Sequence, residues 1–199
     1  MNHLADIPTP VSSASELLIR VDSADNDLGT VSKAAAHVEG GCLHRAFSIF
    51  LFSDDNRVLL QKRATDKPLW PGYWTNTCCS HPRVGETYDE ATARRLDQEL
   101  GLACPLHYVY TFEYSADFED KGTEHELCSV YVGKIPTTRN VHPHPQEVED
   151  WGWYDCSTLD VRVVTRPEGL TPWFLLEWQE LRYQRWAQVC EILGIISRQ

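Results

Sequence analysis

The stretch TNTCCSHP, from Thr75 to Pro82, constrains this chain more than any other. It places two adjacent thiols, a histidine and a proline in one short segment, directly after the aromatic and proline-rich approach LWPGYW. Because proline disfavours both helix and strand interiors, the segment is predicted to form a tight turn. We expect the rest of the chain to act as scaffold, metal ligands or substrate clamps that converge on Cys79.

A helix is predicted after this turn. Thr87 and Glu90 have the spacing of a capping box, in which the N-cap hydroxyl and the glutamate three residues later bond reciprocally. The helix is expected to end near Leu100, because Gly101 adopts left-handed backbone readily. Its charged residues either face solvent or help to bind a metal, and the helix alone does not decide between these two interpretations.

The remaining pattern predicts strands around this helix and a second helix at the end. The expected strands are residues 16–21, 47–52, 58–63, 106–114, 124–132 and 151–154, of which the second and third form a hairpin around an Asp/Asn turn. Thr171–Pro172 opens a long C-terminal helix, because proline fits the first helical position and apolar residues then recur every three or four positions. The predicted fold class is mixed α/β (α+β).

Composition limits the classes of partner. A formal net charge of −11 argues against nucleic acid and against an anionic membrane, since both attract basic surfaces. No apolar run approaches the ~20 residues of a membrane helix, and the N-terminal residues lack the features of a secretory signal. Seven cysteines, two of them adjacent, suit reduced thiols. We expect a cytoplasmic protein with a flexible tail over residues 1–15 and one domain over residues 16–199.

Glu124 and Glu126 lie two residues apart in a predicted strand, so their carboxylates share one face. Val130 and Val132 continue that face as an apolar one, which favours burial over the alternative of an exposed face. Two buried like charges repel each other unless a cation lies between them.

Three histidines lie near apolar or glycine-rich segments: His37, His44 and His81. One isolated histidine is more often structural than a ligand. Together with two carboxylates, however, the three complete a nitrogen/oxygen set that suits a divalent transition metal. A closed zinc-finger site is disfavoured because the CxxC spacing is missing.

Local cations and one thiol complete the candidate residues. Lys33, Lys62, Arg63 and Lys67 are basic in an acidic chain, and near the cysteine turn they suit an anion clamp, although such residues are usually just exposed. Cys79 is predicted to be reactive, because His81 and a metal would lower the pKa of its thiol. An inert buried thiol is the alternative.

The helix resembles the Nudix box through Glu86, Arg94, Glu99 and Gly101, and departs from it at Ser80, Arg95 and Gln98. The segments KAAAH, LHRAFSIFLF, QKRATDKPLWPGYWTNTCCSHP, EHE and TPW, with Tyr114, together resemble type I isopentenyl-diphosphate isomerase over roughly residues 27–178. The resemblance implies a Nudix-like fold and the interconversion of isopentenyl and dimethylallyl diphosphate. A Nudix-type hydrolase of a nucleoside or prenyl diphosphate and a non-catalytic metal-binding module are the alternatives.

The resemblance also implies roles for individual residues. A transition-metal site for Mn²⁺ or Zn²⁺ would use His37, His44, His81, Glu124 and Glu126. Mg²⁺ would bridge Glu99 and the substrate diphosphate, and the diphosphate would be held by Lys33, Arg63 and Lys67. Proton transfer would involve Cys79 and Glu126, in an order that stays open, with Tyr114 assisting and Trp173 facing the hydrocarbon. The expected partner is a small prenyl diphosphate, and the chain is expected to be a monomer or a weak homodimer.

Overall fold

The computed structural model describes residues 11–195. It begins with two antiparallel strands and a single-turn helix: β1 (Leu17–Val21), β2 (Asp27–Ser32) and α1 (Lys33–Ala36). Ser32 caps this helix, because its hydroxyl accepts a hydrogen bond from the Ala35 N–H at 3.3 Å. The cap fixes the start of the segment that carries Lys33 and His37.

A mixed sheet forms the body of the molecule. Its other strands are β3 (His44–Phe52), β4 (Arg57–Arg63), β5 (Trp74–Thr75), β6 (Cys78–Ser80), β7 (Leu106–Phe118), β8 (Gly122–Lys134) and β9 (Val148–Asp155). The central strand β3 pairs in parallel with β8 and antiparallel with β1, β4 and β6. β7 forms a long hairpin with β8, and β4 also pairs with β5 and β9. The predicted strands and the β3–β4 hairpin are confirmed, whereas Cys78–Ser80, predicted as part of a tight turn, form the strand β6.

The register of β3 decides which side chains meet. His44 lies beside Glu126 of β8, and Ser48 lies beside Cys79 of β6. The histidine, the carboxylate and the thiol singled out from the sequence therefore come together through pairing with one strand.

The helix α2 (Tyr88–Leu100) has the predicted ends. Thr87 Oγ1 accepts from the Glu90 N–H at 3.3 Å, and the Glu90 carboxylate accepts from the Thr87 N–H at 2.8 Å. Gly101 ends the helix with a φ of 63°. The predicted capping box and left-handed terminus are confirmed.

Alternation along β3 creates a core on each face of the sheet. Phe47, Ile49 and Leu51 pack against α2, while Phe50 and Phe52 pack against the C-terminal helices. All five are fully buried, and each contributes about 1.5–3 kcal/mol through the hydrophobic effect.

The C-terminal segment is helical but divided. After α3 (Cys156–Thr165) come α4 (Pro172–Gln179), a π-helical turn (Glu180–Gln184) and α5 (Trp186–Leu193). Pro172 occupies the first turn as predicted, whereas the expected continuous helix is interrupted at Arg185, whose φ is −121°. The wider turn accompanies a contact network in which Arg182 pairs with Asp160 and lies 4.0 Å from the Trp186 ring centroid.

Residues 1–10 of the predicted tail lie outside the described residues, but residues 11–15 contact the body. Val11 is buried, and its carbonyl accepts from Arg95 Nη1 at 3.0 Å. None of the helices in residues 11–195 has the length and apolar character needed to cross a lipid bilayer.

Candidate active site and metal centre

A cavity of about 640 Å³ opens where β6, β8, α1, α4 and residues 12–14 meet. Three groups of side chains line it. Carboxylates and imidazoles form one wall, a thiol with two aromatic rings forms the floor, and cations form the rim. The predicted residues in this lining are Lys33, His37, Arg63, Lys67, Cys79, His81, Tyr114, Glu124, Glu126 and Trp173.

The five predicted metal ligands are brought together. Each offers one nitrogen or oxygen atom, and these atoms all lie within 4.8 Å of one another: His37, His44, His81, Glu124 and Glu126. They come from the strands β3 and β8, from the residue that follows β6 and from the end of α1, so the cluster is created by tertiary structure. This compactness matches the nitrogen/oxygen environment expected for a divalent cation.

Hydrogen bonds prepare two of the imidazoles to act as ligands. The Nδ1 atoms of His37 and His44 lie 2.6 and 2.7 Å from the carbonyl oxygens of Lys33 and Cys42. A carbonyl only accepts, so each Nδ1 carries the proton and each Nε2 presents a lone pair. Within the described residues, both Nε2 atoms are buried without a hydrogen-bond partner.

The two carboxylates also indicate a metal site. Glu124 Oε2 lies 2.7 Å from His37 Nε2, and Glu126 Oε1 lies 3.0 Å from His81 Nε2. Two acceptor atoms at such a distance repel unless a proton or a cation lies between them. The buried atoms among these ligands that are unpartnered within residues 11–195, His37 Nε2, His44 Nε2 and Glu124 Oε2, therefore fit a divalent metal.

Burial sets the protonation of this wall. It lowers the pKa of His44 to about 4 and that of His81 well below the usual value, so both rings are neutral at pH 7. Burial, together with the charge of Glu124, raises the pKa of Glu126 well above that of an ordinary carboxyl. Burial thus favours the protonated form of the Glu126 carboxyl.

Cys79 lies in a network of polar partners. The Trp173 indole N–H donates to its sulfur at 3.2 Å, and the thiol donates to Asn76 Oδ1 at 2.6 Å. The predicted lowering of the thiol pKa is wrong for the described residues: burial is the main effect, Glu177 adds to it, and the pKa rises. The prediction relied on His81 together with a metal, and the His81 ring is buried and neutral.

Glu126, Tyr114 and Trp173 approach the same space. The Tyr114 hydroxyl donates to Glu126 Oε2 at 2.7 Å, and the Tyr114 and Trp173 rings have centroids 6.3 Å apart. All three line the cavity with Cys79. The thiol of Cys79 and the carboxyl of Glu126 thus face the same cavity, together with two aromatic rings.

The cationic rim contains the three predicted clamp residues. Lys33 Nζ donates to Ser12 Oγ at 2.7 Å, Lys67 pairs with Glu147, and Arg63 donates to the Leu69 carbonyl at 2.9 Å. Lys62, which the sequence grouped with them, is not part of the cavity lining.

Sequence reasoning missed one cation of the cavity lining. Arg95, seen only as a departure from the Nudix pattern, is buried and lines the cavity. Its Nη2 lies 2.5 Å from Glu99 Oε1, and Gln61 donates to Glu99 Oε2 at 3.1 Å. Glu99 itself is not part of the cavity lining. The i,i+4 spacing of Arg95 and Glu99 was the signal that could have shown this pairing.

Comparisons with known proteins agree with this geometry. A family model described as NUDIX domain matches residues 43–174. The isopentenyl-diphosphate Delta-isomerase 1 of Photorhabdus laumondii is 38% identical over 179 residues, covering 88% of this chain and 99% of the relative. The isopentenyl-diphosphate Delta-isomerase of Burkholderia multivorans is 45% identical over 159 residues, covering 80% and 89%.

Solved structures with lower identity share the fold. A Deinococcus radiodurans protein has a TM-score of 0.69 at 19% identity, covering 84% of this chain and 99% of its own. A MutT protein from Methanosarcina mazei has a TM-score of 0.54 at 14% identity, covering 71% and 96%.

Proposed function

The chain belongs to the isopentenyl-diphosphate Delta-isomerases of the Nudix family, and from this premise we propose how its residues carry out the reaction. The enzyme interconverts isopentenyl and dimethylallyl diphosphate. One observation carries the assignment of residues: the thiol of Cys79 and the carboxyl of Glu126 line a single cavity.

The reaction needs two proton transfers on a hydrocarbon. One proton is added to the terminal methylene carbon, and another is removed from the allylic CH₂ next to the oxygen-bearing carbon, so that the double bond moves. Alkenes are weak bases, and the step therefore needs a positioned acid in a site that excludes water. Two groups on opposite sides of a flat substrate allow both transfers without turning it over.

We assign these two roles to Cys79 and Glu126. The thiol holds its proton on Sγ, where Asn76 accepts it, and the Glu126 carboxyl is steadied by the Tyr114 hydroxyl. One group gives its proton to the substrate and the other takes one, so the substrate itself gains and loses one proton. Tyr114 assists by holding Oε2 of Glu126 in place.

Trp173 is assigned to the hydrocarbon. Its ring lines the cavity, and its N–H is directed at the sulfur of Cys79. The transition state carries positive charge on a tertiary carbon, and an indole face stabilises such charge by about 0.5–2 kcal/mol.

The rim is assigned to the diphosphate. Lys33, Arg63 and Lys67 act as the clamp, and we add Arg95 because it lines the same cavity and contacts Glu147, the partner of Lys67. Binding at the charged end orients a hydrocarbon that has no polar group of its own. We assign Glu99, whose carboxylate accepts hydrogen bonds from Arg95 and Gln61, as the residue that would hold the Mg²⁺ that accompanies the diphosphate.

The divalent metal is assigned to His37, His44, His81, Glu124 and Glu126, with Mn²⁺ or Zn²⁺ as its identity. When bound, the cation would supply positive charge that holds Glu126 in place and makes its carboxyl more acidic. Elemental analysis of purified active protein tests this assignment, and active protein without transition metal would contradict it.

We also propose that residues 16–199 form one domain that acts as a monomer or weak homodimer in the cytoplasm. Five cysteines away from the cavity floor are free thiols, which are compatible with a reducing compartment and support the location: Cys42, Cys78, Cys104, Cys128 and Cys156.

A product assay tests the function. Incubation with isopentenyl diphosphate and Mg²⁺ should give acid-labile dimethylallyl diphosphate without release of phosphate. Glu126→Gln should lower turnover by about 10²–10⁴-fold, the usual contribution of a general acid or base. Release of phosphate without isomer would favour a diphosphate hydrolase instead.

A further inference from the structure

A second buried carboxyl lies behind the cavity floor. Glu177 is fully buried in α4, one helical turn after Trp173, and it is not part of the cavity lining. The two residues lie on the same helical face, so the helix that directs the indole at Cys79 also directs this carboxyl towards the sheet.

A series of polar contacts links Glu177 to Cys79. Its Oε1 lies 3.5 Å from Cys128 Sγ, and that sulfur lies 3.5 Å from Ser48 Oγ. Ser48 Oγ in turn lies 3.8 Å from Cys79 Sγ, within the range of a sulfur hydrogen bond. Cys128 and Ser48 are therefore the polar groups between the buried carboxyl and the sulfur, and the Ser48 hydroxyl also hydrogen-bonds to the carboxyl itself.

None of the partners that the structure gives Glu177 within residues 11–195 is a cation. Burial raises its pKa to about 8, and the Ser48 hydroxyl and Cys128 thiol offset this only in part. Titratable and charged groups face this region from every neighbouring element: Cys79 on β6, Tyr110 on β7, Glu126 and Cys128 on β8, and Glu180 and Arg185 after α4. At pH 7 the carboxyl is consequently uncharged.

We propose that Glu177 is a positioning residue for the isomerisation, because in its uncharged form it leaves the single O–H of Ser48 free to donate to the sulfur of Cys79. A hydroxyl has one proton to donate, while its oxygen accepts. Neutral Glu177 donates to Ser48, and Ser48 then donates to Cys79. Ionised Glu177 only accepts, so it competes for the Ser48 proton and turns it away from the sulfur.

This role rests on the proposed function of Cys79 as a proton-transfer group. Negative charge grows on the sulfur whenever the thiol gives up its proton, and a preorganised donor stabilises that charge. Loss of the Ser48 hydrogen bond should therefore lower kcat. It should leave KM nearly unchanged, because Ser48 is not part of the cavity lining.

The test compares kcat at saturating isopentenyl diphosphate from pH 6 to 9.5 for wild type, Glu177→Gln, Ser48→Ala and the control Glu191→Gln, whose residue is exposed on α5. Wild type and the control should lose turnover as the pH rises through about 8. Glu177→Gln cannot ionise and still has an N–H to donate to Ser48. It should keep kcat at pH 7 within about threefold and move the alkaline fall upward by at least one pH unit.

Ser48→Ala should lower kcat by about tenfold at pH 7, the size expected for a hydrogen bond to a developing charge. An unchanged alkaline fall in Glu177→Gln, or no fall in wild type up to pH 9.5, would overturn the positioning role. Cys79→Ala with wild-type turnover would instead overturn the proposed function. A merely structural role for Glu177 would change thermal stability without moving the pH profile.

Discussion

Cys78 and Cys79 are neighbours in the chain, yet they lie in different chemical environments. In β6, Cys78 is paired with Ile49 and Cys79 with Ser48, so the two side chains point to opposite faces of the sheet. Cys78 is fully buried in the core beneath α2, whereas Cys79 is partly exposed at the cavity floor. The alternation of one short strand thus decides which thiol can meet a substrate.

The largest expected effect is the difference between these two cysteines. Cys79→Ala should lower kcat for isomerisation by about 10³-fold or more, because it removes one of the two proton-transfer groups. Cys78→Ala should keep turnover and lose about 1–2 kcal/mol of stability, since it leaves a small cavity under α2. Steady-state assays and denaturant unfolding of both variants check this, and equal loss of activity would remove the distinction.

The same alternation within β8 separates Glu124 and Glu126 from His125. His125 points to the other side and lies 3.1 Å from Glu113 near the surface. We expect His44→Ala to weaken binding of the divalent metal by at least 10–100-fold, because a ligand is lost from a buried site. His125→Ala should retain the metal. Metal content after dialysis against a chelator measures both, and full retention of metal by His44→Ala would contradict the five-residue site.

The sequence predicted those parts of the site that depend on local periodicity. A period of two places Glu124 and Glu126 on one face, and the capping box with Gly101 sets both ends of α2. It did not predict that Arg95 would line the cavity. That outcome depends on long-range packing, since Arg95 bonds to the carbonyl of Val11, 84 positions away.

The sequence also did not predict which titratable side chains are buried. Glu177 looks like any polar residue of an amphipathic helix, and only the packing of α4 on β3 shows that it is enclosed. The predicted acidity of Cys79 failed for the same reason, because the effect of His81 depends on whether that ring is solvated. Periodicity indicates which face a residue occupies, whereas the degree of burial is set by the whole fold.

A smaller effect is expected on KM, through the diphosphate clamp. Burial lowers the pKa of Lys33 to about 8, with Lys67 and Arg95 adding to the effect, so Lys33 loses its charge as the pH rises above that value. KM for isopentenyl diphosphate should then rise about 3–10-fold between pH 7 and 9. Lys33→Arg should remove this rise because arginine stays charged.

Lys62→Ala is the matched control for the clamp, because Lys62 is not part of the cavity lining. Its Nζ atom lies 3.1 Å from Glu149 Oε1. Its KM should follow that of the wild type across this pH range. A rise in KM that persists unchanged in Lys33→Arg would assign the pH dependence to another group.

The smallest expected effect is on thermal stability, and it should differ between the buried carboxyls on the two faces of the sheet. Glu99 on α2 is paired with Arg95, whereas Glu177 on the Cys79 side has no cationic partner among residues 11–195. Glu177 holds its proton up to about pH 8 in the folded state but releases it near pH 4.5 when unfolded, so its burial costs stability increasingly as the pH rises between these values. Glu177→Gln should therefore raise Tm at pH 8 by a few degrees and leave it unchanged near pH 4.5. In a chain of this length, Tm shifts by about 2–4 °C for each kcal/mol of change in the free energy of unfolding.

Glu99→Gln should do the opposite and lower Tm at pH 8, because it leaves the guanidinium of Arg95 without its nearest carboxylate. Calorimetric melts of both variants at pH 4.5 and pH 8 measure the contrast. If Glu177→Gln lowered Tm at pH 8, the buried carboxyl would be charged and stabilised in the folded state. The two faces of the sheet would then differ only in the reactivity of their thiols.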